Sequence, residues 1–320
     1  MGKLAFLFPG QASQYPGMGR ELAEKCPEAK KVFEEADRVL GFAISQMCFS
    51  GPEEELKLTA NTQPAILSVS LAAYGVLAAR GVQPDFVAGH SLGEYSALVA
   101  AGALGFADAL RLVRKRGSYM QDAVPAGEGA MAAIMGLSPA VVADVCKRAA
   151  NGEVVSPANL NSPEQTVISG SAGAVKRAVE LASQRGAKRA VILPVSAPFH
   201  SALMIPAQKR LEADLRQTPF ANPRVPLVTN VDADSVSTGE EAREALIRQV
   251  TMPVRWEESM RQLMEEGVTS FVEVGPGRVL TGLLRQIERS VLALNVEDEK
   301  SLEGTVEKLA AQARAGSGDA

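Results

Sequence analysis

The chain has 320 residues, about two domains' worth at roughly 150 residues per domain, and its 46% hydrophobic and 22% charged content is that of a folded globular protein. Its 28 glycines and 18 prolines are too few for a fibrous or low-complexity polymer, and 33 Lys and Arg against 37 Asp and Glu leave a net charge of -4, so no basic field exists to gather nucleic acid. Cys26, Cys48 and Cys146 lack CxxC spacing, which fits free thiols in a reducing cytoplasm and offers no zinc site; no redox cofactor or metal is expected. In chain order, short apolar runs alternate with longer amphipathic ones: a strand over 4–8, helices over 21–40 and 64–80, a strand over 85–88, and helices over 92–101 and 107–121. This rhythm predicts a parallel sheet covered by helices. The opening strand stops at Pro9-Gly10, too short for a signal peptide, and the longest nearly apolar stretch, near 97–107, falls short of a membrane span.

Between 130 and 193 the order changes to strand 131–135, helix 139–149, strands 153–158 and 166–169, helix 172–184 and strand 189–193. This βαββαβ order predicts a ferredoxin-like unit inserted into a parent fold. Turn-rich Pro125-Ala126-Gly127 on one side and Pro194 with Pro198 on the other mark its edges. The expected organisation is an α/β-hydrolase-like, parallel-sheet domain from 1–127 and 194–314, an inserted subdomain from 128–193, and a frayed tail from 315–320. The returning chain carries helices near 204–217, 240–250 and 257–266, strands at 227–229 and 270–274, and a helix after Pro276.

Gly89-His90-Ser91-Leu92-Gly93 lies between the strand ending at Ala88 and the helical stretch that follows, which is the setting of a nucleophile elbow. A sharp strand-to-helix turn lifts the Ser91 hydroxyl clear of the sheet, and the helix N-terminus beneath it offers unpaired N–H groups to a developing oxyanion. The alternative is a glycine-rich turn with a capping serine. A serine nucleophile needs a base, and the chain has two histidines. His90 is adjacent to Ser91, so its ring is expected to project away and pack near the elbow. His200 remains, in the loop Ser196-Ala197-Pro198-Phe199-His200-Ser201. No acidic residue between Ser91 and His200 sits in an obvious strand-end loop, so a dyad whose histidine is oriented by a backbone carbonyl or an amide is expected rather than a triad.

Further segments sharpen the picture: Phe8-Pro9-Gly10-Gln11 after the first strand, Arg114-Lys115-Arg116-Gly117, Ser169-Gly170, Phe199-His200, Gln249 ahead of Met252-Pro253-Val254, and Glu273-Val274-Gly275-Pro276-Gly277. With these in order over roughly residues 1–295, the sequence resembles the malonyl-CoA:acyl carrier protein transacylases and, more distantly, the acyltransferase domains of polyketide and animal fatty acid synthases. The resemblance implies that Ser91 carries the acyl group, that His200 is its base, and that the backbone N–H groups of Gln11 and Leu92 form the oxyanion hole. It implies further that the main-chain carbonyl of Gln249 holds the histidine tautomer and that Arg116 grips the free malonyl carboxylate. Phe199 resembles the pattern of malonyl-selective members, its ring crowding an α-methyl group. The implied reaction is ping-pong: malonyl-CoA acylates Ser91, and the phosphopantetheine thiol of acyl carrier protein collects the group for fatty acid or polyketide synthesis. A thioesterase would share Ser91 and His200 and let water attack; a non-catalytic carrier-binding protein would need neither.

Overall fold

Residues Lys3–Phe8 form β1, whose last four residues are all buried; an uninterrupted apolar run of this kind belongs to a strand covered on both faces. The computed structural model describes residues 2–195 and 197–317, so Met1, Ser196 and residues 318–320 lie outside the described residues. After β1 come α1 (Arg20–Lys25), α2 (Pro27–Leu40), α3 (Ile44–Ser50), α4 (Glu53–Lys57), α5 (Thr59–Ala79), β2 (Phe86–Gly89), α6 (Gly93–Ala100) and α7 (Phe106–Asp122). Next are β3 (Gly129–Met135), α8 (Pro139–Ala149), β4 (Val155–Ser162), β5 (Gln165–Ser171), α9 (Ala172–Gln184) and β6 (Arg189–Ile192). The chain closes with α10 (Ile205–Gln217), β7 (Leu227–Val228), β8 (Ser235–Val236), α11 (Gly239–Gln249), α12 (Trp256–Glu265), β9 (Val268–Val274), α13 (Val279–Ile287), β10 (Leu292–Val296) and α14 (Glu299–Ser317).

Two sheets result. The larger has the order β10-β9-β1-β2-β7-β8 and is parallel except for β8. Because β1, β2 and β7 run the same way, the loops after Phe8, Gly89 and Val228 emerge along one edge, where ligands of open parallel sheets bind. The smaller sheet, β4-β5-β3-β6, is antiparallel throughout, which is the ferredoxin-like arrangement of a βαββαβ chain. Its two faces serve different cores: Ala132, Ile134 and Ile168 pack with Val142, Val145 and Val175 of its own helices, while Met131, Ala133 and Val167 join the main core. Period-two alternation thus fastens the small sheet to the large body.

The structure redraws several expected elements. The single helix expected over 21–40 is two, because Cys26 precedes a proline and is held extended at φ -118° and ψ 115°. The helix expected from Pro64 starts at Thr59 and keeps Pro64 inside. Proline cannot donate to the carbonyl of Ala60, and Arg114 Nη1 donates to that oxygen instead at 2.7 Å. This helix, not the stretch near 97–107, is the longest apolar element: it is long and apolar enough to cross a bilayer, yet 78% of that window is buried inside the protein. Helices α3 and α4, strands β8 and β10 and helix α14 were not expected. The segment expected to fray from Ala315 is helical as far as Ser317.

Candidate active site

The bend from β2 into α6 is as tight as backbone allows. A Cβ on Gly89 would lie 2.0 Å from the Gly93 carbonyl, and one on Gly93 would lie 2.0 Å from the carbonyl oxygen of Phe8. Both glycines are therefore required by close approach of neighbouring backbone. Between them Ser91 takes φ +50°, a left-handed conformation that costs about 1–2 kcal/mol for a residue with a side chain. In this conformation its hydroxyl meets His200 Nε2 and Arg116 Nη2. His90 points elsewhere: its Nε2 lies 2.9 Å from Asn161 Oδ1 and its ring packs on Trp256.

His200 reaches the same point from the end of the loop that follows β6, also left-handed at φ +56°. Its Nε2 is 2.8 Å from Ser91 Oγ, and its Nδ1 is 2.8 Å from the main-chain oxygen of Gln249 and 3.2 Å from that of Met252. Two carbonyls around Nδ1 require a proton there, so in the neutral ring Nε2 is the free acceptor for the serine hydroxyl. Gln249 is the last residue of α11, where carbonyls lack intrahelical partners and the helix dipole is negative. This helix end stands where a triad would place its carboxylate. Burial first, and then the nearby Arg116 cation, hold the His200 pKa down to about 3, so the resting ring is neutral.

Arg116, on α7, is 1% exposed. Its Nη2 donates to Ser91 Oγ at 3.1 Å and to Gln249 Oε1 at 3.0 Å, and its Nη1 donates to Gln63 Oε1 at 2.9 Å. All three acceptors are neutral, and Nε has no partner among the described residues. The Tyr95 ring lies 5.6 Å from the guanidinium and the Glu94 carboxyl favours its charge, but no carboxylate hydrogen-bonds to it among the described residues, so it can still take one directly. The Gln249 amide in turn donates to the Ser91 carbonyl and to Glu94 Oε2, both at 2.9 Å. Asn230, two residues past β7, accepts from the Ser91 N–H at 2.7 Å and donates to the Gly89 carbonyl at 2.7 Å.

Gln11, Ser91, Phe199 and His200 line one cavity of about 120 Å³, together with Met131 and Leu193 from the small-sheet side. Leu92 precedes α6 and is buried; neither its N–H nor that of Gln11 has an acceptor among the described residues. On its other side His200 meets a larger groove of about 660 Å³, which Leu160, Ile205 and Met252 help to line. All seven expected residues are thus in or against the site. Gln63, Glu94 and Asn230 escaped the sequence reading, although polar residues inside otherwise apolar helices, as at 63 and 94, are a signal of buried networks. Among the described residues no group of three or more His, Cys, Asp or Glu could hold a metal ion.

A serine and histidine in hydrogen-bond reach at a strand-to-helix elbow, with free N–H groups nearby, form the kind of site that enzymes handling acyl groups through a serine ester possess. The chain belongs to the acyl transferase domain family, whose model matches residues 5–313, and within it to the malonyl CoA-acyl carrier protein transacylases. It is 50% identical over 310 residues to the malonyl CoA-acyl carrier protein transacylase of Bacillus subtilis strain 168, covering 97% of this chain and 98% of that one. Identity to the Escherichia coli K12 enzyme of the same name is 47% over 308 residues, 96% of this chain and all of the other. Among solved structures, an acyl carrier protein S-malonyltransferase from Vibrio cholerae superposes with a TM-score of 0.93 at 47% identity, over 95% and 99% of the two chains. A malonyl-transacylase in complex with a type II PKS acyl-carrier protein superposes with a TM-score of 0.94 at 46% identity, over 96% and 99%.

Proposed function

We propose that this acyltransferase moves the malonyl group of malonyl-CoA to the phosphopantetheine thiol of an acyl carrier protein through a malonyl ester on Ser91, supplying extender units for fatty acid or polyketide synthesis. His200 Nε2 takes the Ser91 proton as Oγ attacks the thioester carbonyl, and the tetrahedral oxyanion is held by the N–H groups of Gln11 and Leu92. Collapse expels CoA sulfur, which leaves with the proton from His200. In the second half the carrier thiol gives its proton to His200 and attacks the ester, and Ser91 Oγ recovers the proton. Gln249 keeps His200 in the required tautomer throughout.

One observation carries the choice of acyl group: a buried guanidinium 3.1 Å from the nucleophile with only neutral acceptors around it. A malonyl carboxylate satisfies Arg116 bidentately. An acetyl group leaves the cation unpaired, at a cost of roughly 3–5 kcal/mol. The carboxylate does a second thing. Arg116 is one of the groups that depress the basicity of His200, so neutralising it lets the imidazole accept the serine proton more readily. Phe199, on the cavity wall, narrows the space beside the α-carbon against a methyl branch. The carrier, the acidic partner of this chemistry, docks at the cleft between the two sheets, and free Cys26, Cys48 and Cys146 fit a cytoplasmic site of action.

The test is to supply malonyl-CoA with the carrier in its holo form, bearing phosphopantetheine, and in its apo form without it. Malonyl should accumulate on the holo form alone, faster than free malonate appears. Malonate appearing equally fast with no carrier present marks a thioesterase and contradicts the proposal.

A further inference from the structure

Glu94 lies on the first turn of α6, three residues past the nucleophile, and is fully buried. Its two oxygens are used unequally. Oε2 accepts from the Asn230 main-chain N–H at 3.0 Å and from Gln249 Nε2 at 2.9 Å, while Oε1 has no partner among the described residues. A side chain present only to cap or fill this space has no need of a carboxyl whose second oxygen is buried and unpaired, since that arrangement costs desolvation energy.

Both recipients of Oε2 act on the reacting centre. Asn230 holds the Ser91 N–H and the Gly89 carbonyl, the two backbone groups that define the elbow. Gln249 is held at three places: its amide nitrogen by Glu94 and the Ser91 carbonyl, its amide oxygen by Arg116, and its main-chain oxygen by His200 Nδ1. The two ends of an amide are nearly the same size, and a flip would set its NH2 group against the guanidinium. Arg116, a pure donor, and Glu94 Oε2, an acceptor, therefore fix the amide from opposite ends.

We infer that Glu94 is a positioning residue: one oxygen, placed at one point beneath the elbow, sets Asn230 and Gln249 and through them the mutual placement of Ser91 and His200. The position of that oxygen is what its neighbours receive, and its charge is secondary. Burial pushes the Glu94 carboxyl up to about 7, against its hydrogen bonds from Gln249 and Asn230 and the Arg116 cation, which favour the charged form; a proton taken up on Oε1 would leave Oε2 free for the same two donors. The inference rests on Ser91 and His200 being the reacting pair, as in the function proposed above, and is independent of which acyl group is carried.

Two conservative variants separate reach from charge. Glu94→Asp keeps the charge and withdraws the oxygen by one methylene; Glu94→Gln loses the charge and keeps an oxygen at the same reach. The rate at which a fluorophosphonate probe labels Ser91 reports the dyad without any malonyl substrate, and kcat and KM for malonyl-CoA report transfer. Glu94→Asp should lower both the labelling rate and kcat by about 10- to 100-fold, the scale of an ångström-sized misplacement, with KM for malonyl-CoA moving less than about threefold. Glu94→Gln should keep at least about a third of each rate. Aspartate matching wild type, glutamine falling as far as aspartate, or a loss confined to KM overturns the inference. Wild-type protein that is labelled by the probe yet transfers no malonyl overturns the proposed substrate and leaves the Glu94 comparison readable.

Discussion

At the scale of single residues the site is arranged around a histidine that is neutral at rest and a cation whose hydrogen-bond acceptors are all neutral. His200 is buried, faces carbonyls on one side and a hydroxyl on the other, and has Arg116 close enough to oppose its protonation. Arg116 donates to two amides and a hydroxyl and to no carboxylate among the described residues, and under the proposed function the acyl group supplies the anion. Arg116→Ala is expected to lower kcat/KM for malonyl-CoA by at least about a hundredfold, from the several kcal/mol at stake in a buried ion pair. The same variant should accept acetyl-CoA better relative to malonyl-CoA than wild type does. Steady-state transfer assays with both donors check this; an unchanged ratio contradicts the carboxylate clamp. Ser91, Arg116 and His200 are legible in the sequence because each is a chemically scarce group in a telling place: a GxSxG serine, one of two histidines, a helical arginine within a family motif. Glu94 and Asn230 are not legible, because a buried carboxyl is marked only by what it touches, and Asn230 N–H meets Glu94 across 136 positions of chain.

At the scale of elements, the placements that matter are strand ends. Parallel strands β1, β2 and β7 deliver Gln11, Ser91 and Asn230 to one edge, and the C-terminus of α11 brings an unpaired carbonyl to meet His200. The alternation of strands and helices is readable from apolar periodicity, since most strands are buried on at least one face, although β6 leaves Val191 and Ile192 exposed. Helix boundaries are less so. Position 26 breaks a helix because proline follows it, whereas Pro64 breaks nothing because Arg114 satisfies the carbonyl it leaves free, and only the folded protein distinguishes the two. Arg114→Ala is therefore expected to destabilise the fold by about 1–3 kcal/mol, the cost of an orphaned, part-buried acceptor. Urea denaturation measures it; a variant as stable as wild type contradicts this account of Pro64.

At the scale of the whole molecule, the site exists because one sheet is fastened to another. Ser91 follows β2 of the large, mostly parallel sheet, His200 follows the last strand of the small antiparallel one, and the cavity between them takes walls from both. Sequence patterning foretells the two sheets and the βαββαβ order of the second, because each is encoded within a run of neighbouring residues. The meeting of positions 91 and 200 is encoded only in packing: Met131, Ala133 and Val167 turn one face of the small sheet into the main core. The central claim is that this junction makes a nucleophile that holds a malonyl group between donor and acceptor. Intact-protein mass spectrometry after mixing with malonyl-CoA, with no carrier present, addresses it most directly. Wild-type protein should gain the mass of one malonyl group, located on Ser91 and removed on adding holo acyl carrier protein, and Ser91→Ala should gain none. Wild type that never acquires the group, or Ser91→Ala that acquires it equally, would contradict the account.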